Sequence, residues 1–284
     1  HAQGLLADAL AQIGELGPAH LALPVDHHLL DARRMNREHP LDALADPAGL
    51  DALADAKGVP HGDPDGEVAL GGLGPSVPRP RKVFGIGMNF GAHIAEMGRS
   101  APAIPVIFTK WPNCLTGPGS DIVLVGDRTD YEVELVAVIG RTCRGLDPSE
   151  AWDALAGVAV GQDVSDRALQ LASSPPQFSL GKSHDTFGPL GPVTSLDLVD
   201  DPTDLTLHCS VDGEMRQDSH TSLMILDVPG LVAYLSEVCT LEPGDLVFTG
   251  TPAGVGDPQG RCLEVGQLVE SEIPGVGRLA NRCV

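Results

Sequence analysis

From Val83 onward the sequence breaks into short apolar runs divided by turns, and this texture limits the fold more than any other feature. "KVFGIGMNF", "PVIFTKW", "DIVLV", "ELVAVIG", "GVAVGQDV", "LTLHCSVDG", "DLVFTGTPAGVG" and "QLVESEI" each carry the apolar, β-branched character of a strand. The 34 glycines and 24 prolines supply the tight turns between them. Two segments read as helices: "SEAWDALAG", after the start signal Asp147-Pro148-Ser149, and "VPGLVAYLSEV". Many short strands and few helices predict a β-rich α+β domain.

Before Val83 the composition differs. Residues 1 to about 55 are rich in Ala, Leu and Asp. "DALAQIGEL" and "LDALADPAGLDALADA" have amphipathic helical patterns, with Pro24 between them and Pro47 interrupting the second. His27, His28 and His39 fall in this stretch and read as solvated surface. Residues 58–82 are dense in Gly and Pro and read as a connection. The expected division is a small helical N-terminal region with its linker over 1–75 and a main domain over 80–284.

The charge balance sets limits on partners. With 18 basic and 39 acidic residues the net charge is −21, a surface that repels nucleic acid and anionic membranes. No apolar run approaches the ~20 residues of a membrane span. The six cysteines include no C-x-x-C pair and are spread along a chain too large to need staples. Reduced thiols and a cytoplasmic location are expected, there being no charged-then-apolar secretory start.

Within "DYEVELVAVIG" two glutamates, Glu132 and Glu134, interrupt a run that otherwise reads as a buried strand. A period of two puts both carboxylates on one face. Like charges side by side are costly to bury unless something positive lies between them. A third carboxylate, Asp163, ends the apolar run "AGVAVGQD". Three carboxylates from two strands form a hard-oxygen set that suits Mg²⁺ or Mn²⁺, whereas zinc would want His or Cys.

"NFGAHIAEMG" holds His93 and Glu96, which share a face on a helix and can form a general-base pair able to activate water. Lys182, in "SLGKSHDTFGPLGP", is either a surface cation or a group that neutralises an oxyanion. "TGTPAGVG" is no P-loop, since no Gly-Lys-Ser/Thr follows. "GIGMNFG" places its third glycine one position late for a dinucleotide fingerprint.

Taken together, "GMNFGAHIAE", "PVIFTKWPNCLTGPGSDI", "DYEVELVAVIGR", "AGVAVGQDVSDRALQ", "GKSHDTFGPLGP", "VDGEMRQDSHTSLMI" and "LEPGDLVFTGTPAGVG" resemble the fumarylacetoacetate hydrolase family, from about Val83 to Val284. That family includes acylpyruvate hydrolases and 2-hydroxyhepta-2,4-diene-1,7-dioate isomerases. The resemblance implies a β-rich, mixed β-roll fold, a homodimer, and a small-molecule 2-oxo or 1,3-dioxo acid as substrate. It implies Mg²⁺, Mn²⁺ or Ca²⁺ held by Glu132, Glu134 and Asp163. His93 and Glu96 match the family's lid pair, and Lys182 its active-site lysine. Arg167, Gln170 and Thr251 fall where members contact substrate. The chain departs from the pattern at Phe90 (often Tyr), Gln162 (often Asn), His184 (often aromatic) and Leu223 (usually Asp).

The expected activity is metal-dependent hydrolysis of the carbon–carbon bond of an acylpyruvate or fumarylpyruvate type of β-diketo acid, through a metal-chelated enolate. Isomerisation or tautomerisation of a 2-hydroxydienoate, or decarboxylation of a 2-oxo acid, could use the same site. A non-catalytic binding protein is a further reading from another class. Residues 91–103, bracketed by Gly91 and Gly98 and closed by Pro102 and Pro105, are expected to form a weakly held lid helix.

Overall fold

A computed structural model of the chain describes Leu70 and residues 73–284. The helical segments expected before residue 58, and most of the 1–75 region, lie outside the described residues.

The principal strands are β1 (Val83–Gly87), β2 (Val106–Thr109), β3 (Val133–Ile139), β4 (Leu155–Gln162), β5 (Thr206–Val211), β6 (Glu214–His220), β7 (Leu246–Phe248), β8 (Leu268–Ile273) and β9 (Gly277–Arg282). Among the described residues four α-helices accompany them: α1 (Gly91–Glu96), α2 (Arg167–Gln170), α3 (Phe178–Gly181) and α4 (Val228–Val238). A mixed five-stranded sheet has the order β2-β1-β7-β3-β4, and a four-stranded sheet the order β6-β5-β8-β9. Only the β1–β7 pair is parallel in these two sheets.

β3 is buried along its whole length, so both of its faces are covered. Val133, Leu135, Ala137 and Ile139 enter one core, which they share with Val160 of β4 and with Leu207, Val211, Val269 and Leu279 of the other sheet. The two sheets are therefore packed face to face through these side chains. The alternate residues Val136 and Val138 pack with Phe248, Leu190 and Ala159 on the opposite face. β5 and β8 show the alternating burial of one-sided strands, as "LTLHCSV" and "QLVESEI" predict.

α4 occupies the "VPGLVAYLSEV" segment. Asp227 caps it by accepting the Gly230 N–H at 2.9 Å, and Val228, Leu231, Val232 and Leu235 are buried.

Two expectations are corrected. "SEAWDALAG" is not an α-helix: it makes two 3₁₀ turns, Pro148–Glu150 and Trp152–Ala154, before β4 starts at Leu155. Asp147 and Glu150 do form a capping box there. Pairing of Leu155 with Ile139 then takes the chain into the sheet, so tertiary pairing overrides local helical preference. "DIVLV" is no strand either; Ile122 makes one isolated bridge to Cys283. Conversely β6 and β9 went unpredicted. Their sequences, "EMRQDSH" and "GRLANR", are too polar to announce a strand.

The loop after β7 carries a strict requirement at Gly254. Its φ is +107°, and a Cβ there would run into the backbone carbonyl of Arg216. Gly254→Ala is expected to cost about 2 kcal/mol, from the disfavoured backbone region together with the clash. For a domain of this size that lowers the melting temperature by roughly 4–8 °C, which calorimetry of the variant and the parent protein checks.

Candidate metal centre and catalytic cleft

Glu132 stands immediately before β3 and Glu134 is its second residue, so both carboxylates leave one face. The β3–β4 register pairs Val133 with Gln162. This brings Asp163, at the end of β4, alongside Glu132, whose carbonyl accepts the Asp163 N–H at 2.9 Å. One oxygen from each of Glu132, Glu134 and Asp163 lies within 4.8 Å of the others, and all three residues are buried.

Three buried cations face these carboxylates. Lys182 Nζ donates to Glu132 Oε2 at 2.8 Å, Asp163 Oδ2 at 2.7 Å and Ser165 Oγ at 2.8 Å. Lys110 Nζ donates to Asp163 Oδ1 at 2.7 Å, to the Phe187 carbonyl at 3.0 Å and to the Lys182 carbonyl. Arg167 Nη2 lies 2.7 Å from Glu132 Oε1 and 2.8 Å from Asp130 Oδ2, while its Nη1 donates to Gln170 Oε1 at 3.0 Å. Each lysine thus has three acceptors for its three N–H groups.

Burial by itself would raise the Glu132 carboxyl. Lys182, then Arg167 and His93, outweigh it and hold Glu132 at about 2. Glu134 goes the other way. Burial pushes it well above the carboxylate range, and the adjacent Asp163 and Glu132 charges push in the same direction. Its Oε2 accepts one backbone N–H, from Gly250, at 2.9 Å. Burial opposes the charge on Lys110 also, but Asp163, Cys114 and Glu134 together more than offset it and the ammonium is raised above its ordinary value.

Four carboxylates, Asp130, Glu132, Glu134 and Asp163, share this cluster with Lys110, Arg167 and Lys182, leaving one negative charge in excess when all are ionised. The three clustered carboxylates offer hard oxygen donors only. That excess charge and the reluctant Glu134 carboxyl both suit an added divalent cation of the Mg²⁺, Mn²⁺ or Ca²⁺ type.

His93, Glu132, Arg167, Lys182 and Thr251 line one cleft. α1 places His93 Nδ1 3.3 Å from Glu96 Oε2. Glu96 in turn accepts the Gly254 N–H with both oxygens at 3.2 Å, so the His-Glu pair is tied to the loop after β7. His93 is buried in this docked arrangement, although few large apolar side chains hold α1 in place. Thr251 Oγ1 donates to the Val133 carbonyl at 2.9 Å and accepts from Gln217 Nε2 at 2.8 Å. Gln170 lines the same cleft and accepts from Arg167 there.

Three supporting residues escaped the sequence reading. Asp130 continues the period-two row of Glu132 and Glu134, a usable signal. Lys110 ends the apolar run "VIFTK", a weaker one. Gln217, whose Oε1 accepts the Val133 N–H at 3.0 Å, stands in a polar edge strand and gave no signal.

Comparison with known proteins agrees with this geometry. Residues 82–284 match the family described as fumarylacetoacetate (FAA) hydrolase C-terminal. The chain belongs to the fumarylacetoacetate hydrolase family. It is 39% identical over 216 residues to a fumarylacetoacetate hydrolase domain-containing protein 2 homolog of Dictyostelium discoideum, covering 71% of each chain. It is similar to 2-hydroxyhepta-2,4-diene-1,7-dioate isomerase from Mycobacterium marinum, with a TM-score of 0.65 and 39% identity over 75% of this chain and 77% of that one. It also resembles fumarylpyruvate hydrolase from Pseudomonas aeruginosa in complex with Mn²⁺ and pyruvate, with a TM-score of 0.67 and 31% identity over 75% of this chain and 95% of that one.

Two substitutions separate the parts of the cluster. Lys110→Met leaves the Asp163 charge short of a buried partner and is expected to cost about 3–5 kcal/mol, read by urea unfolding. Glu134→Gln removes a repelled charge, so the metal-free protein should melt no lower than the parent. The parent should gain about 2.7 kcal/mol from Mn²⁺ at a hundred times its Kd, and Glu134→Gln should lose most of that gain in the same thermal scan.

Proposed function

We propose that the chain is a divalent-metal-dependent hydrolase that cleaves the carbon–carbon bond of a β-diketo acid of the acylpyruvate or fumarylpyruvate type. One observation carries this reading: His93, paired with Glu96, lines the same cleft as Glu132 of the buried carboxylate trio. An isomerase or decarboxylase working through an enolate has no need of a base for water; a hydrolase does.

Glu132, Glu134 and Asp163 would hold the ion, which when bound supplies an anchor for the substrate's carboxylate and 2-oxo oxygens and positive charge where the enolate develops. Glu96 at Nδ1 fixes the His93 tautomer and leaves Nε2 to take a proton from water. The hydroxide adds to the distal carbonyl carbon. The bond from that carbon to the methylene then breaks, and its electron pair stays with the pyruvate fragment. The imidazolium of His93 returns the proton, giving pyruvate and a carboxylic acid. Lys182 and Lys110 have their N–H groups committed to the carboxylates, the Ser165 hydroxyl and backbone carbonyls. They act on the developing charge through their field and by keeping Glu132 and Asp163 in place.

The isomerase reading draws on the similarity to the Mycobacterium marinum enzyme, and it keeps the carboxylates while leaving the water-activating pair idle. His93→Ala decides between the two. Acylpyruvate cleavage, followed by loss of the diketo ultraviolet absorbance, should fall 10²–10⁴-fold in kcat, the range of a lost general base. Treatment with EDTA should abolish it, with Mn²⁺ or Mg²⁺ restoring it. Cleavage that survives complete metal removal, or is untouched in His93→Ala, contradicts the proposal.

A further inference from the structure

Asp130 is fully buried, and its carboxylate serves two parts of the cleft at once. On one side Oδ2 accepts Arg167 Nε at 2.9 Å and lies 2.8 Å from Arg167 Nη2. On the other, Oδ1 accepts the Gly256 N–H at 2.7 Å and Oδ2 the Asp257 N–H at 3.0 Å. These amides belong to the loop after β7, whose Gly254 N–H and Gln259 Nε2 both donate to Glu96. The neighbours of Asp130 grip the same loop. Tyr131 Oη donates to the Gly254 carbonyl at 3.0 Å, and Arg128 clamps Asp257 through Nε at 2.9 Å and Nη2 at 2.8 Å. Residues 249–256 lie in no helix or strand, so side-chain contacts such as these fix the path of the loop. Glu96 therefore stands where the loop puts it, and the loop stands where Asp130 and its neighbours put it.

We infer that Asp130 is a positioning residue for the His93-Glu96 pair and acts on it through the 254–259 loop. This rests on the reading of that pair as the base that activates water. A carboxylate suits the task because four N–H groups converge on it, those of Tyr131 at 2.9 Å, Gly256, Asp257 and Arg167 Nε, and its two oxygens accept them all. One rigid group thus holds both the arginine that faces Glu132 and the loop that holds Glu96. Their spacing across the cleft is fixed, and with it the distance from the base to the carboxylate trio. A reacting group displaced by about 1 Å loses on the order of 10²-fold in rate.

The test uses two variants of the full chain loaded with Mn²⁺. Asp130→Asn keeps one oxygen but turns an NH₂ group toward donors on the other side. Tyr131→Phe is milder: it removes a loop contact and none of those made by Arg167. Hydrogen exchange is measured first, since it requires no turnover. Exchange over residues 91–97 should quicken about tenfold in both variants as the loop loosens its hold on Glu96. Acylpyruvate cleavage is then followed on the same samples. Tyr131→Phe should lower kcat about tenfold with KM unchanged, and Asp130→Asn should lower kcat about 10²-fold. In Glu96→Ala the loop has no carboxylate to hold, so adding Asp130→Asn should lower kcat by less than about threefold more. Unchanged exchange over 91–97 in both variants, a Tyr131→Phe effect confined to KM, or an undiminished Asp130→Asn effect in Glu96→Ala overturns the assignment. Faster exchange in the variants of a chain that cleaves no acylpyruvate removes the hydrolase reading and keeps Asp130 as the residue that places the pair; cleavage by the parent protein with unchanged exchange in the variants does the reverse.

Discussion

The ammonium of Lys182, wedged between Glu132 and Asp163, is the contact on which the site depends. Two carboxylates from separate strands cannot be buried together without a cation, and Lys182 supplies it from a third segment, at the end of α3. Lys110 repeats the arrangement on the other Asp163 oxygen and at the same time accounts for two backbone carbonyls, those of Lys182 and Phe187. Removing any one member would strand a buried charge, so the cluster locks β2, β3, β4 and the α3 segment into one relative placement.

Glu134 is the member this network leaves uncompensated. Its neighbours are carboxylates, and its nearest donor is the Gly250 backbone. Lysine and arginine side chains thus pair with Glu132 and Asp163, and Glu134 is the carboxylate that has no such partner among the described residues. Two compensated carboxylates beside a third that is not make an acidic trio able to hold a divalent ion.

The proposed catalytic elements differ in how firmly they are held. The carboxylates stand on or beside strands whose side chains fill a core between two sheets. His93 and Glu96 sit on a six-residue helix joined to the rest through Glu96 and the Gly254 amide. Strong support for the proposed ligands and light support for the proposed base suit the hydrolase proposed for this cleft.

The sequence by itself determined the local periodicities. Val133, Leu135 and Val138 mark a buried strand, and a period of two places Glu132 and Glu134 on one face; the spacing of His93 and Glu96 puts them on one turn. These depend only on backbone geometry, which is a property of adjacent residues. The sequence also carried the helix at 228–238, because its cap and apolar face are both local. Only the tertiary structure decided the rest. That Lys110 and Lys182 are buried ligand partners and not surface cations depends on chain segments far apart in sequence. That "SEAWDALAG" yields to 3₁₀ turns depends on the pairing of Leu155 with Ile139, and that "EMRQDSH" becomes a strand depends on the pairing of Gln217 with Cys209. Burial, pairing and charge compensation arise between segments, so no window along the chain could contain them.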